Sequence, residues 1–130
     1  MEAARRWQDS RVILEDPDST YIDEGVAIGP GTVIGPNTHL KGRTRIGSDC
    51  RIDGSAYLTD AEIGDRVQVG SDTTLVAPVT LGDDSYVATA TTVRHDVPAG
   101  SLVYNERRER VREGWTEQKR ERMKRGKGKG

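Results

Sequence analysis

Phenylalanine is absent from the 130 residues, and all aromatics together make up only 5% of them. A core built on large interlocking rings is therefore not expected. Cysteine is almost as scarce. Cys50 stands alone, so no disulfide can close within the chain, which suits a reducing compartment. No apolar run approaches the roughly 20 residues that a membrane-spanning helix needs. The opening MEAARRWQDS also lacks the apolar stretch of a secretory leader. The expectation is a cytoplasmic protein with no membrane partner. Only 33% of the residues are hydrophobic and 32% are charged, a balance polar enough to make disorder a real alternative. A repeated pattern is what would exclude it.

Charge is unevenly divided. Residues 1–105 carry 9 Lys/Arg against 16 Asp/Glu, and residues 106–130 carry 11 against 5. An acidic body therefore precedes a basic tail, ERRERVREGWTEQKRERMKRGKGKG. The tail is charged and helix-prone with Gly114 as a break, and GKGKG at its end reads as disordered. Of the i,i+4 pairs Glu117–Glu121 and Glu121–Arg125, only the second is attractive.

The body carries the pattern. Aliphatic residues recur every six positions at Ile22, Ile28, Ile34, Leu40, Ile46, Ile52 and Leu58. After one five-residue step they resume at Ile63, Val69, Leu75, Leu81, Val87 and Val93. Glycine follows the aliphatic anchor at 29, 35, 47, 64, 70 and 82. Gly, Asn or Asp, which tolerate tight turns and positive φ, stand three residues after it at 25, 31, 37, 49, 72, 84 and 96. Small or β-branched residues stand four after it, from Val26 and Thr32 through Cys50 and Ala56 to Thr91 and Val97.

Each hexapeptide is thus a very short strand with one large and one small inward residue, then a turn. Such a unit cannot bury its apolar face alone and must stack, which is the mark of a parallel β-helix. Three hexapeptides close one triangular coil. Thirteen give a little over four coils, about 20 Å tall at a parallel-strand spacing of roughly 4.8 Å. The domain expectation is an N-terminal arm at 1–11 containing Trp7, a β-helix over 12–104 starting at Val12-Ile13-Leu14, and a helical or disordered basic tail at 105–130.

Longer stretches carry a more specific signal. EDPDSTYIDEGVAIGPGTVIGPNTHLKGRTRIGSDCRI (15–52), VGSDTTLVAPVTLGDDSYVATATTV (69–93), DVPAGSL (96–102) and REGW (112–115) resemble one family. It is the C-terminal acetyltransferase domain of bifunctional UDP-N-acetylglucosamine pyrophosphorylase/glucosamine-1-phosphate N-acetyltransferase, and the similarity covers about residues 12–115. The resemblance implies a single-stranded left-handed parallel β-helix, although crossovers are ordinarily right-handed. It also implies a homotrimer with acetyl-CoA in grooves between subunits, a small-molecule acyl acceptor and the UDP-N-acetylglucosamine pathway.

The departures bear on chemistry. The family's uridylyltransferase domain is not expected within 130 residues. GSAYLTDAEIG (54–64) resembles the family's H-x-x-Y-x-G-D-A-E-I-G, but Gly54 stands where the catalytic histidine belongs. No N-Y-D-G motif follows. A second alignment places 49–69 on an earlier coil, in which case the whole catalytic segment is missing. Either way the general base that would deprotonate a sugar amine is lost.

On the cofactor side, Ser71 matches a contact serine in the family. Thr89 falls where a small alanine lies against the cofactor, and Ala90 where glycine is usual. The family's arginine aligns with Glu106, leaving Arg107 one residue away as the phosphate contact. By the same resemblance Tyr57 would orient a sugar, and otherwise it packs outside a coil.

His39 and His95 are the two histidines and the only substitutes for the missing base. The ordinary reading of each is a surface or turn residue. They belong to one wall, three coils or about 14 Å apart. Zinc–nitrogen bonds of roughly 2 Å cannot span that, so no metal is expected. Cys50, at a small inward position, reads as core. The tail could hold anions or RNA, but a solvated helix, or packing against an acidic neighbouring coil, is the plainer reading, and a nucleic-acid partner is not expected. Two function classes follow: an acetyl-CoA-dependent acyltransferase, or a non-catalytic trimeric scaffold or binding protein.

Overall fold

The computed structural model describes Trp7 and residues 10–106 and 109–128, side chains of 127 and 128 excepted. Very short strands follow one another around three parallel sheets. Wall I holds β1 (Ile13–Leu14), β4 (Val33–Ile34), β7 (Arg51–Ile52), β10 (Gln68–Val69), β13 (Tyr86–Val87) and β15 (Leu102–Val103). Wall II holds β2 (Tyr21–Ile22), β5 (His39–Lys41), β8 (Tyr57–Thr59), β11 (Thr74–Leu75) and β14 (Thr92–Val93). Wall III holds β3 (Ala27–Ile28), β6 (Arg45–Ile46), β9 (Ala61–Ile63) and β12 (Val79–Leu81). The chain is a parallel β-helix, followed by one α-helix, α1 (Trp115–Gly128).

The repeat explains the walls directly. All thirteen anchors face inward, and twelve of them are fully buried, Ile22 being packed against the core at its lower end. The small positions form the second inward file. Thr32, Thr38, Thr44, Thr73, Ser85 and Thr91 are buried beside Val26, Cys50, Ala56, Ala61, Val67 and Val79. Four threonines return their hydroxyls to backbone carbonyls at 2.8 Å: Thr32 to Gly47, Thr38 to Gly35, Thr44 to Lys41 and Thr73 to Gly70. A polar side chain so paired can line a core at little cost. Coil joins coil through the backbone, as in Val33 N–H to Cys50 C=O and Arg51 N–H to Val67 C=O, both 2.9 Å.

The stack is longer than thirteen anchors imply. Leu14 pairs with Ile34, Leu81 with Val97 and Val87 with Val103. Wall I therefore has six strands, about 24 Å from first to last at the parallel spacing. The extra anchors fall out of the six-residue register, although Leu14 belongs to the expected starting strand. The 3-10 helix Pro17–Ser19 lengthens the step from Leu14 to Ile22. The last corner is shortened, so Val97 is itself a wall III anchor and not the small partner of the next strand. The five-residue step is where expected: Ile46 pairs with Ile63 at a separation of 17, whereas Ile28 pairs with Ile46 at 18.

The corners also depart from expectation. Positive φ occurs at Gly31, Asn37, Asp49, Asp72 and Asp84 but not at Gly25 or Asp96, and it extends to Ser55, Arg66 and Ala90. Asp96 instead accepts the Thr80 N–H at 2.8 Å. Arg66, at φ 55°, forks onto Asp84 of the next coil at 2.7 and 3.0 Å. The guanidinium holds the Asp84 carboxyl below the usual carboxylate range. Its contribution is present at neutral pH and fades as pH falls through that lowered value. The glycines after the anchors serve a different purpose from turning. A Cβ at Gly35 would lie 2.6 Å from the Gly54 nitrogen, and one at Gly47 would lie 2.5 Å from the Gly64 oxygen. Coils approach too closely there for any side chain.

Helix α1 is exposed on every side through residue 126. Gly114, at φ 73°, precedes it, and Glu121 pairs with Arg125 at 3.6 Å. Among the described residues no helix is long and apolar enough to cross a membrane. Trp7 is buried against the first coil and belongs to the core. The rest of the expected arm up to residue 9, and the last two residues of GKGKG, lie outside the described residues.

Two substitutions should separate strain from crowding. Ala90→Gly removes a left-handed alanine and should raise stability by about 0.5–1 kcal/mol. Gly47→Ala forces two coils apart and should lower it by about 1–3 kcal/mol. Urea denaturation reads both, and a stabilised Gly47→Ala would contradict the close-approach account.

Candidate functional site

Candidate residues gather along the edge between walls I and II and on the outer face of wall II. At that edge, successive coils contribute Gly35–Asn37, Asp53–Ser55, Gly70–Asp72 and Ala88–Ala90. Ser71 is half-buried there, and its carbonyl accepts the Ala90 N–H at 2.8 Å. Its hydroxyl makes no hydrogen bond within the described chain and is free for a ligand. Thr89 is exposed one coil further on, with its nitrogen 2.7 Å from where a Gly70 Cβ would stand. Ser71 and Thr89 therefore share one edge in adjacent coils. Glu106 is exposed near the end of the same edge, and Arg107 lies outside the described residues.

Gly54 occupies that edge two coils before Thr89. A Cβ at this position would lie 2.7 Å from the Pro36 oxygen and 3.2 Å from its ring. Backbone and ring leave no room for a histidine.

The outer face of wall II is an aligned column. Tyr21, His39, Tyr57 and Thr74 are cross-strand neighbours in successive coils. The His39 ring stacks on Tyr21 at 4.7 Å and on Tyr57 at 4.4 Å, with interplanar angles of 21° and 10°. His39 is thus a strand residue held between two rings, not a turn residue. The 18-residue spacing of 21, 39 and 57 was a signal for this stack, because each immediately precedes an anchor of the same wall.

His95 is exposed past the end of β14, three rungs from His39 on the same wall. It lines a cavity of about 540 Å³ with Arg94, Asp96, Asn105 and Glu106. Asn105 defines its floor. Its side-chain oxygen accepts the Thr92 N–H at 2.8 Å, and its nitrogen donates to the Thr92 carbonyl at 3.4 Å. One amide therefore takes both partners that a further strand would have offered. No sequence signal marked it. Among the described residues no three His, Cys, Asp or Glu side chains converge as a metal site.

Cys50 is core, as read. Its thiol donates to the Gly64 carbonyl at 3.0 Å, and its N–H donates to the Thr32 hydroxyl at 3.1 Å. Burial pushes the thiol pKa up, outweighing the Val67 and Arg66 backbone and the Thr32 hydroxyl, which favour the thiolate.

Residues 25–60 match the family described as bacterial transferase hexapeptide (six repeats). This chain is a hexapeptide-repeat β-helix. It is acetyltransferase-like in sequence. It is 56% identical over 54 residues to the bifunctional protein GlmU of Trichormus variabilis, covering 42% of this chain and 12% of that protein. It is 30% identical over 200 residues to the GlmU of Pelobacter propionicus, covering 82% of this chain and 44% of that one. The chain spans less than half the length of these relatives. The second match is longer than the chain itself, so the relative carries sequence between matched segments that this hexapeptide protein lacks. A mutant GDP-perosamine N-acetyltransferase from Caulobacter crescentus, crystallised with CoA and GDP-perosamine, shares the fold. Its TM-score is 0.61 at 18% identity, over 80% of this chain and 60% of that one.

Two measurements test the site's framework. Cys50 should resist iodoacetamide at pH 7.5 in the folded protein and react in urea, because the thiolate is both buried and disfavoured. Rapid native alkylation would mean that the coil opens there. Tyr57→Ala should lower stability by about 1 kcal/mol through the lost ring contact, while Tyr57→Phe should leave it unchanged. Equal losses in the two variants would show that the hydroxyl, not the stack, matters.

Proposed function

We propose that the chain is a trimeric, acetyl-CoA-binding hexapeptide protein that does not acetylate glucosamine 1-phosphate. The observation that carries this reading is the Gly54 corner, where no side chain fits. Under one alignment that corner should hold the base; under the other the coils that bore it are gone, which the 200-residue match favours. The histidines do not replace it. His39 is stacked on both faces, and His95 stands at the far end of wall II from the edge of Ser71 and Thr89.

The cofactor edge is in better order. Ser71 presents a half-buried, unengaged hydroxyl, and the glycine beneath Thr89 keeps the neighbouring coils close. Ser71 and Thr89 would hold acetyl-CoA along this edge, with Arg107 near its phosphates. The bound group would supply an activated thioester. What the chain lacks is a residue to take the proton from an attacking amine. A purely structural scaffold is the second reading, favoured by the stacking of His39, and it predicts no cofactor binding.

Calorimetry with acetyl-CoA should show binding that Ser71→Trp abolishes. CoA release with glucosamine 1-phosphate should not exceed the protein-free rate. Robust sugar-dependent release would overturn the catalytic half of the proposal, and no heat at millimolar acetyl-CoA would leave the scaffold.

A further inference from the structure

Helix α1 carries six Lys/Arg against two Asp/Glu. Among the described residues, only two of these charges meet each other, in the Glu121–Arg125 pair, and Lys119 lies over the Trp115 ring at 5.1 Å. A helix polar on all sides does not hold its place by burial. The body has the complementary excess. Along the edge between walls III and I, three successive coils contribute Asp49, then Asp65, then Asp83 and Asp84, with Glu62 beside them on the outer face of wall III. Asp65 and Asp83 each accept a backbone N–H through one oxygen, from Ser48 at 2.9 Å and from Asp65 at 2.7 Å. Two arginines share this surface: Arg66 is committed to Asp84 and also faces Asp65 and Asp83, and Arg45 stands opposite Glu62. Among the described residues, no cation comes within ion-pair distance of Asp49, Glu62, Asp65 or Asp83, so the edge keeps a net negative charge. Beside this edge runs a recess of about 460 Å³, lined by Arg45, Glu62, Thr80 and Asp83 among others.

We infer that α1 of one copy lies along the acidic III/I edge of a second copy, as a strap between subunits. The charge excesses are of opposite sign and nearly equal size, −7 over residues 1–105 and +6 over residues 106–130. The spacings also match. Arg120 and Lys124 are one turn apart, about 6 Å along the helix axis, against about 4.8 Å between carboxylates in successive coils. The inference rests on the trimer reading, since the strap needs a neighbour. Tethering raises the effective concentration of the tail at that neighbour, so weak pairs suffice.

The test uses full-length chains and sedimentation equilibrium at low and high salt. Arg120→Glu with Lys124→Glu should weaken self-association about tenfold at low salt and little at high salt, as several exposed ion pairs would. Glu62→Lys should do the same, and combining it with the tail reversals should restore association. Circular dichroism checks that each variant is folded. Unchanged association in the tail variant, or no restoration in the combined one, overturns the strap while leaving the trimer standing. A wild-type chain that is monomeric at every concentration overturns both. Tail-dependent retention on RNA or anionic vesicles, with association unchanged by the reversals, assigns the tail to another anion and also overturns the strap.

Discussion

Everything in this molecule is subordinate to one distance, the separation between a strand and its parallel neighbour in the next coil. The ladder bonds fix it, and each layer of side chains has to fit inside it. The anchors stack because they repeat at that height. The threonines line the interior because their hydroxyls can turn back to a carbonyl within it. The glycines after the anchors are there because opposing corners at that separation would collide with a Cβ, as the Gly35–Gly54 and Gly47–Gly64 contacts show.

The same constraint bears on chemistry. A catalytic side chain in such a wall must point outward from a strand or stand at a corner with space around it. Gly54 has no such space, and the half-buried His39 has both ring faces covered by Tyr21 and Tyr57 of its own column. Along the edge of Ser71 and Thr89 the side chains stand at the corner, Ser71 half-buried and Thr89 exposed. A regular stack readily makes a continuous edge for an elongated ligand. It less readily makes the isolated, oriented base that acyl transfer to an amine requires.

Most of the fold was legible because the side-chain period is so unusual. Six-residue spacing names the inward residues one by one, and the register follows from it. What escaped lay where the period broke. Val97 sits behind a shortened corner, so counting in sixes reads it as a small residue and not as an anchor. Positive φ at Arg66 and Ala90 contradicts local preference, because the stack dictates the corner and the residue conforms. The site was less legible. The aromatic column could be read from 18-residue spacing, but the Asn105 amide could not, since nothing in the sequence distinguishes it from any surface asparagine. The absence of a base at Gly54 was visible only through a resemblance, and its steric reason only in three dimensions.

Asn105 also bears on how such a molecule ends. A stack of identical rungs has no internal reason to stop, and its last open strand is a template for another. Here a single side-chain amide imitates one residue of the missing wall II rung at Thr92, while the outer edge of β15 on wall I is left without a further strand. The wall II edge is thus met by a side chain and not by another strand. An incoming strand would have to displace that amide before it could pair with β14 there.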